Sequence, residues 1–125
     1  MLKSFWLKYW PAILLTTVII IFFNKILFFH QVFINPDYGR SDLLHFNIPI
    51  HYSAWEAIRN FEIPLWESKM GQGFPLLDEG QLGFFYLPNL ILSILPFWIA
   101  FNIGIVFTFC LAAIGAYLLA RSFKI

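Results

Sequence analysis

The chain has no acidic residue before Asp37 and none after Glu79. Charge of either sign is scarce, 12% of 125 residues, where soluble domains carry about a quarter. A soluble domain of ordinary composition is thereby excluded. Cys110 is the single cysteine, so no internal disulfide can form. It lies in an apolar run and reads as a small packing residue, not a reactive thiol. There is neither a long basic run nor a zinc-type spacing of Cys and His, which argues against nucleic-acid binding. Gly71 and Gly73 lack the third glycine and the following helix of a phosphate-binding fingerprint.

Apolar residues fill what remains, 60% of the chain, with 21% aromatics. Between Asp37 and Glu79 the seven acids face three bases, Arg40, Arg59 and Lys69; the rest of the chain has five bases and no acid. A polar loop between membrane spans has this charge pattern.

The first apolar segment, Leu7 to Phe23, is about long enough to cross a hydrocarbon core of about 30 Å, helped by Lys25 snorkelling at its far end. Trp6, Tyr9 and Trp10 supply an aromatic belt. No small-residue cleavage site follows, so it reads as a retained signal anchor and not a cleaved signal. The second apolar region, Leu82 to Ala120, is interrupted by Pro88 and Pro96. Two arrangements fit it: a short interfacial or re-entrant piece over 86–96 followed by one span over 97–120, or two short spans turning near Asn102. Lys3 and Lys8 precede the first span and Arg121 and Lys124 follow the last, so the positive-inside rule puts both ends in the cytoplasm and favours an even number of crossings. The expected fold is an all-α integral membrane protein: a tail and first transmembrane helix over 1–34, an extracytoplasmic loop over 35–85, the interfacial piece, a second transmembrane helix, and a cytoplasmic end over 121–125. Two helices enclose too little space for a lipid-sized substrate. The segment is therefore expected to be the amino-terminal part of a polytopic protein, with the remaining transmembrane helices as its partners.

Within the loop, Asn35-Pro-Asp-Tyr-Gly39 is a turn signal, and Ser41 or Asp42 is placed to cap a following helix. Pro49 disfavours helix at Ile48, so that helix is short or restarts there. Ile50, Ala54, Ile58 and Phe61 then recur at helical spacing, with His51, Ser53, Glu56, Arg59 and Asn60 on other faces. This predicts an amphipathic helix over 49–61 lying in the membrane interface, with Trp55 at headgroup level. Glu56, Glu62 and Glu67 read as solvent-facing.

Ser41-Asp42-Leu43-Leu44-His45-Phe46, Ile63-Pro64-Leu65-Trp66, Gly71-Gln72-Gly73-Phe74-Pro75-Leu76 and Gly83-Phe84-Phe85-Tyr86-Leu87-Pro88-Asn89 together resemble the first extracellular loop of the bacterial YfhO-like membrane proteins, part of the GT-C class of glycosyltransferases. The resemblance spans roughly residues 10–120. It implies transfer of a sugar from a polyprenyl-phosphate carrier to an acceptor outside the cytoplasm, with an acidic residue of the first loop as general base or metal ligand. By position that residue is Asp42. The Asp42, His45 and Phe46 spacing also resembles the Asp-Glu-x-His-Phe stretch of protein O-mannosyltransferases, but Leu43 stands where the second acid would be. A paired-carboxylate mechanism does not carry over.

Chemistry independent of the resemblance also points to Asp42, because attack by a hydroxyl on an anomeric carbon needs a proton acceptor. His45, three residues on, is placed to share its helix face as a hydrogen-bond partner, metal co-ligand or donor-phosphate contact, and Arg40, Arg59 and Lys69 are placed to meet lipid headgroups or, as expected of Arg40 by the resemblance, a donor phosphate. Asp78 and Glu79 sit in a turn; folded back towards Asp42 they would make a carboxylate cluster able to hold Mg²⁺ or Mn²⁺. Membrane lipids and a lipid-linked sugar are the expected partners. The competing expectation is a non-enzymatic membrane subunit, or the first part of a transporter or flippase, with exchangeable loop acids.

Overall fold

The computed structural model describes residues 2–28, 31, 39 and 41–123. The turn residues 35–38, and with them Asp37, lie outside the described residues, as do His30, Arg40 and Lys124. The described chain is mostly helical and contains no strand. Its helices are α1 (Leu2–Phe22), α2 (Asn24–Phe28), α3 (Ile48–Arg59), α4 (Leu87–Leu92) and α5 (Phe97–Ser122), with a π-helical turn over Leu43–Asn47 leading into α3. Residues group into two units, one of 1–31 with 102–125 and one of 32–101.

In the first unit, α1 stays helical through Pro11 and satisfies the hydroxyls of Thr16 and Thr17 on its own carbonyls, those of Ala12 at 2.9 Å and Ile13 at 2.8 Å. Such back-bonding lets a hydroxyl sit in an apolar helix. The helix breaks at Phe23 and resumes as α2, so the first apolar segment does not run unbroken past Lys25. Phe23 and Ile26 pack on Val106 of α5, with Ile19, Leu27 and Cys110 around them. Asn102, also on α5, is buried and donates through Nδ2 to the carbonyls of Ile26 (3.2 Å) and Gln31 (3.3 Å).

α5 is long and apolar enough to cross a membrane; among the described residues it is the one helix that is, the apolar stretch Tyr9–Phe22 being shorter.

The second unit is built around Ile50, which is 0% exposed, with Ala54, Leu76 and Leu82. Phe46, Met70, Phe74 and Phe84 pack against them. Pro49 explains the π turn. A proline at the start of a helix has no N–H to give to the residue four before it, and its ring crowds that carbonyl. The wider turn, closed by the Ile48 N–H on the Leu43 carbonyl, relieves the crowding while the chain keeps winding. α3 ends in a Schellman motif: the Glu62 N–H reaches the Ala57 carbonyl at 2.8 Å and the Phe61 N–H the Ile58 carbonyl at 3.1 Å. Its left-handed residue is Phe61, with φ 57° and 99% exposure. Phe61 therefore does not continue the buried face expected from its spacing. The face turns away one turn earlier, at Ala57.

Two contacts join α3 to the end of α4. Trp55 Nε1 donates to the Leu95 carbonyl at 2.9 Å, and Arg59 Nη1 to those of Ser93 (3.4 Å) and Ile94 (3.3 Å), the guanidinium lying 5.1 Å from the Trp55 ring. Trp55 also meets Phe97 edge-on at 6.0 Å. The half-buried indole thus braces α3 against the chain that leads into α5.

The stretch between α3 and α4 is a hairpin and two turns. Glu67 and Phe74 exchange both backbone hydrogen bonds (2.9 and 3.1 Å), the Gly73 N–H closes on the Met70 carbonyl, and the Leu76 N–H reaches the Leu65 carbonyl at 3.1 Å. Gly71 (φ 58°) and Gly73 (φ 83°) both need the left-handed region. A Cβ on Gly73 would fall 2.6 Å from Trp66 Nε1, whereas one on Gly71 would meet nothing. Gly73→Ala should therefore cost about 2–3 kcal/mol, left-handed strain plus displacement of the indole, and Gly71→Ala about 1 kcal/mol from strain alone. Gly80→Ala, with open space and no positive φ, should stay within about 0.5 kcal/mol. Denaturation of the whole protein in detergent micelles checks that order.

Candidate functional site

Asp42 opens the π turn with helical dihedrals (φ −56°, ψ −30°), and its carboxylate makes no capping hydrogen bond. The cap expected of Ser41 or Asp42 is supplied instead by backbone: the Ser41 carbonyl accepts from Leu44 (3.1 Å) and His45 (3.0 Å). With its backbone already turning helically, Asp42 cannot fold its side chain over the next N–H groups in the way an extended cap residue does. The carboxylate is exposed, and Asn47 Nδ2 holds the Asp42 carbonyl at 3.4 Å. His45 is exposed on the same turn.

Asp78 is exposed and Glu79 half-buried. The turns that contain them close locally: the Glu79 N–H on Leu76, the Leu82 N–H on the Glu79 carbonyl, and the Gln81 N–H on Glu79 Oε1 at 3.3 Å. Among the described residues, no three His, Cys, Asp or Glu side chains group closely enough to hold a metal ion. Asp42, Asp78 and Glu79 thus do not form the carboxylate cluster that Mg²⁺ or Mn²⁺ would need, and no metal-dependent step is derived from them.

The second half of α3 and residues 62–69 enclose a recess of about 340 Å³ that the sequence did not advertise. Ser53, Glu56, Asn60, Glu62, Glu67 and Lys69 supply its polar lining, and Trp66 is part of its wall. Lys69 Nζ pairs with Glu56 Oε2 at 2.9 Å, and that carboxylate holds the ammonium above its ordinary value. Glu67, expected to face solvent, is 3% exposed. Its Oε1 accepts the Lys69 N–H at 2.6 Å, a local turn that satisfies the buried charge with backbone. Three carboxylates against one ammonium make the recess repel phosphate and suit hydroxyl or ammonium donors. The signal that could have marked Glu67 is its place two residues before Lys69 at the mouth of a glycine hairpin, where a side-chain acceptor closes the turn.

Arg59 donates to the carbonyls of Ser93 and Ile94, just past α4, and Lys69 pairs with Glu56. Compared with known proteins, the chain matches no family model, no curated protein and no solved structure.

His51 packs beside Phe101, ring centroids 5.7 Å apart, and its burial holds the imidazole below its ordinary value. The folded state thus keeps His51 neutral where the unfolded chain takes up a proton near the ordinary value of 6.5. Its contribution to stability is complete above that pH and lost as the pH falls below it, the loss levelling off under the depressed folded-state value. Melting temperature should therefore drop more between about pH 7.5 and about pH 5.5 in the native protein than in a His51→Phe variant; equal drops would refute the burial effect.

Proposed function

We propose that the chain is the amino-terminal portion of a polytopic membrane glycosyltransferase that moves a sugar from a polyprenyl-phosphate carrier to an extracytoplasmic acceptor. In this reading α1 and α5 are the two spans, with cytoplasmic ends in a bacterial plasma membrane, and residues 35–85 form the extracytoplasmic loop. One observation carries it: Asp42 is an exposed carboxylate on a helical turn and is not spent on capping. The structural duty that competes with catalysis at this position is taken by the Ser41 carbonyl.

Asp42 takes the proton of the acceptor hydroxyl as the acceptor oxygen bonds to the anomeric carbon. The bond from that carbon to the carrier phosphate breaks, and the electron pair leaves with polyprenyl phosphate. His45, on the same turn, contacts the donor phosphate, and Arg40, outside the described residues, is proposed for the same anion. The aromatic hairpin from Ile63 to Leu76 walls the acceptor side, where the carboxylates of the recess accept hydroxyl donors and keep the phosphate away.

A second reading is favoured by a separate observation. The glycine motifs behind the resemblance are all occupied in closing turns, as a non-enzymatic docking loop of a transporter or membrane subunit would need. The two readings part on a single substitution in the full-length protein. Asp42→Asn keeps size and removes the base, so sugar transfer from the lipid-linked donor should fall by about 10²- to 10⁴-fold, with partial recovery in Asp42→Glu. Transfer by Asp42→Asn at the native rate would eliminate the catalytic role.

A further inference from the structure

We propose that the edge of the loop unit formed by Phe61, Ile94 and Trp98 around Arg59 is a membrane seat: its apolar side chains enter the headgroup region of a phospholipid bilayer, and Arg59 meets lipid phosphate. The proposal rests on α5 crossing the membrane, one part of the reading above, and is independent of sugar transfer.

Phe61 is the first reason. The Schellman turn at the end of α3 requires a left-handed residue, for which glycine is the unstrained choice. The chain instead places there a phenylalanine at φ 57° with 99% of its surface exposed. The ring serves neither the turn nor the packing of this unit. A bulky residue held in strain and projecting into water calls for an apolar medium outside the unit.

The neighbours of Phe61 indicate which medium. Arg59 binds the carbonyls of Ser93 and Ile94 and so ties the end of α3 to the end of α4. Ile94 there is 76% exposed, and Trp98 follows in the first turn of α5. Arg59 is itself exposed and donates to these carbonyls through Nη1. No acid occurs after Glu79, and Glu62, the acid beside Phe61, lines the recess. An exposed cation two residues from exposed Phe61 and bonded to the backbone of exposed Ile94, with exposed Trp98 four residues further on, matches the boundary between lipid phosphate and acyl chains.

Chain length gives the third reason. The 26 residues of α5 span roughly 39 Å at about 1.5 Å each, against a hydrocarbon core of about 30 Å. The surplus puts the ends of the helix in the interfacial layers. Phe97 and Trp98 are the first two residues of α5, so a bilayer crossed by this helix holds their rings in its interfacial layer.

The test uses the whole protein in vesicles of phosphatidylcholine and phosphatidylglycerol. An environment-sensitive fluorophore is attached, in a Cys110→Ala background, through Phe61→Cys, Ile94→Cys, Gln72→Cys at the hairpin tip, or Leu111→Cys in the middle of α5. Labels at 61 and 94 should be quenched by shallow lipid nitroxides and lose the iodide quenching seen at 72, while 111 responds to deep nitroxides. Iodide quenching at 61 and 94 as strong as at 72 would overturn the seat while leaving the span intact. Shielding from both iodide and nitroxide would overturn it too, by showing that protein covers the edge. Iodide quenching at 111 would remove the span and the seat together.

Discussion

The carbonyls of Ser93, Ile94 and Leu95 set the terms for the loop unit. α4 is six residues long and stops before Pro96, which has no N–H to offer. Three consecutive acceptors are thereby left without helical partners at the start of an apolar helix, where unpaired backbone is costly. Trp55 and Arg59 fill all three, and a cation at a helix carboxyl end gains from the dipole as well. The spacing of four between Trp55 and Arg59 puts both donors on one face of α3. That face fixes the roll of the helix, and the roll decides that Ile50, Ala54 and Ala57 are buried. The recess and the exposed Phe61 follow from the same rotation.

The motifs on which the resemblance rests have a common physical content. Pro64-Leu65-Trp66 and Gly71-Gln72-Gly73 are the two sides of one construction: the Trp66 indole lies where a side chain on residue 73 would be, and Leu65 receives the Leu76 N–H. Gly83 and Asn89 repeat the device, with Gly83 at φ 57° and its carbonyl held by Asn89 Nδ2 at 3.0 Å and by the Tyr86 N–H at 3.0 Å. Residue types that look like a binding signature in sequence are here the minimum needed to reverse the chain within a few residues. Asp42 differs from them because its side chain is tied to no turn.

Much of the helical content was legible because composition and periodicity speak directly to burial. Ile50 and Ala54 at a spacing of four identify the buried face of α3, and an uninterrupted apolar run identifies α5 as a helix able to cross a membrane. Legibility failed where a local hydrogen bond overrode a pattern. Phe61 has the right spacing for the core, but the Schellman closure rotates it into solvent; Glu67 has the charge of a surface residue, but a backbone N–H two residues on satisfies its carboxylate. The bond from Trp55 to the Leu95 carbonyl was not legible because the two residues are forty apart in sequence. Asp42, Asp78 and Glu79 do not group for a related reason: the turns around 76–82 close on themselves, and Glu79 Oε1 accepts the Gln81 N–H two residues on.

Asn102 shows the same logic inside the apolar unit. A polar side chain in a helix able to cross a membrane is expensive unless it has partners. Asn102 spends both hydrogens of its amide on the carbonyls of Ile26 and Gln31, in and just beyond the short helix α2. Leucine in its place would remove both of these hydrogen bonds. Among the described residues its Oδ1 is the buried side-chain oxygen without a hydrogen-bond partner. Two satisfied carbonyls therefore outweigh one stranded acceptor. The polar residue that hydropathy alone would count against α5 is the one that ties it to α2.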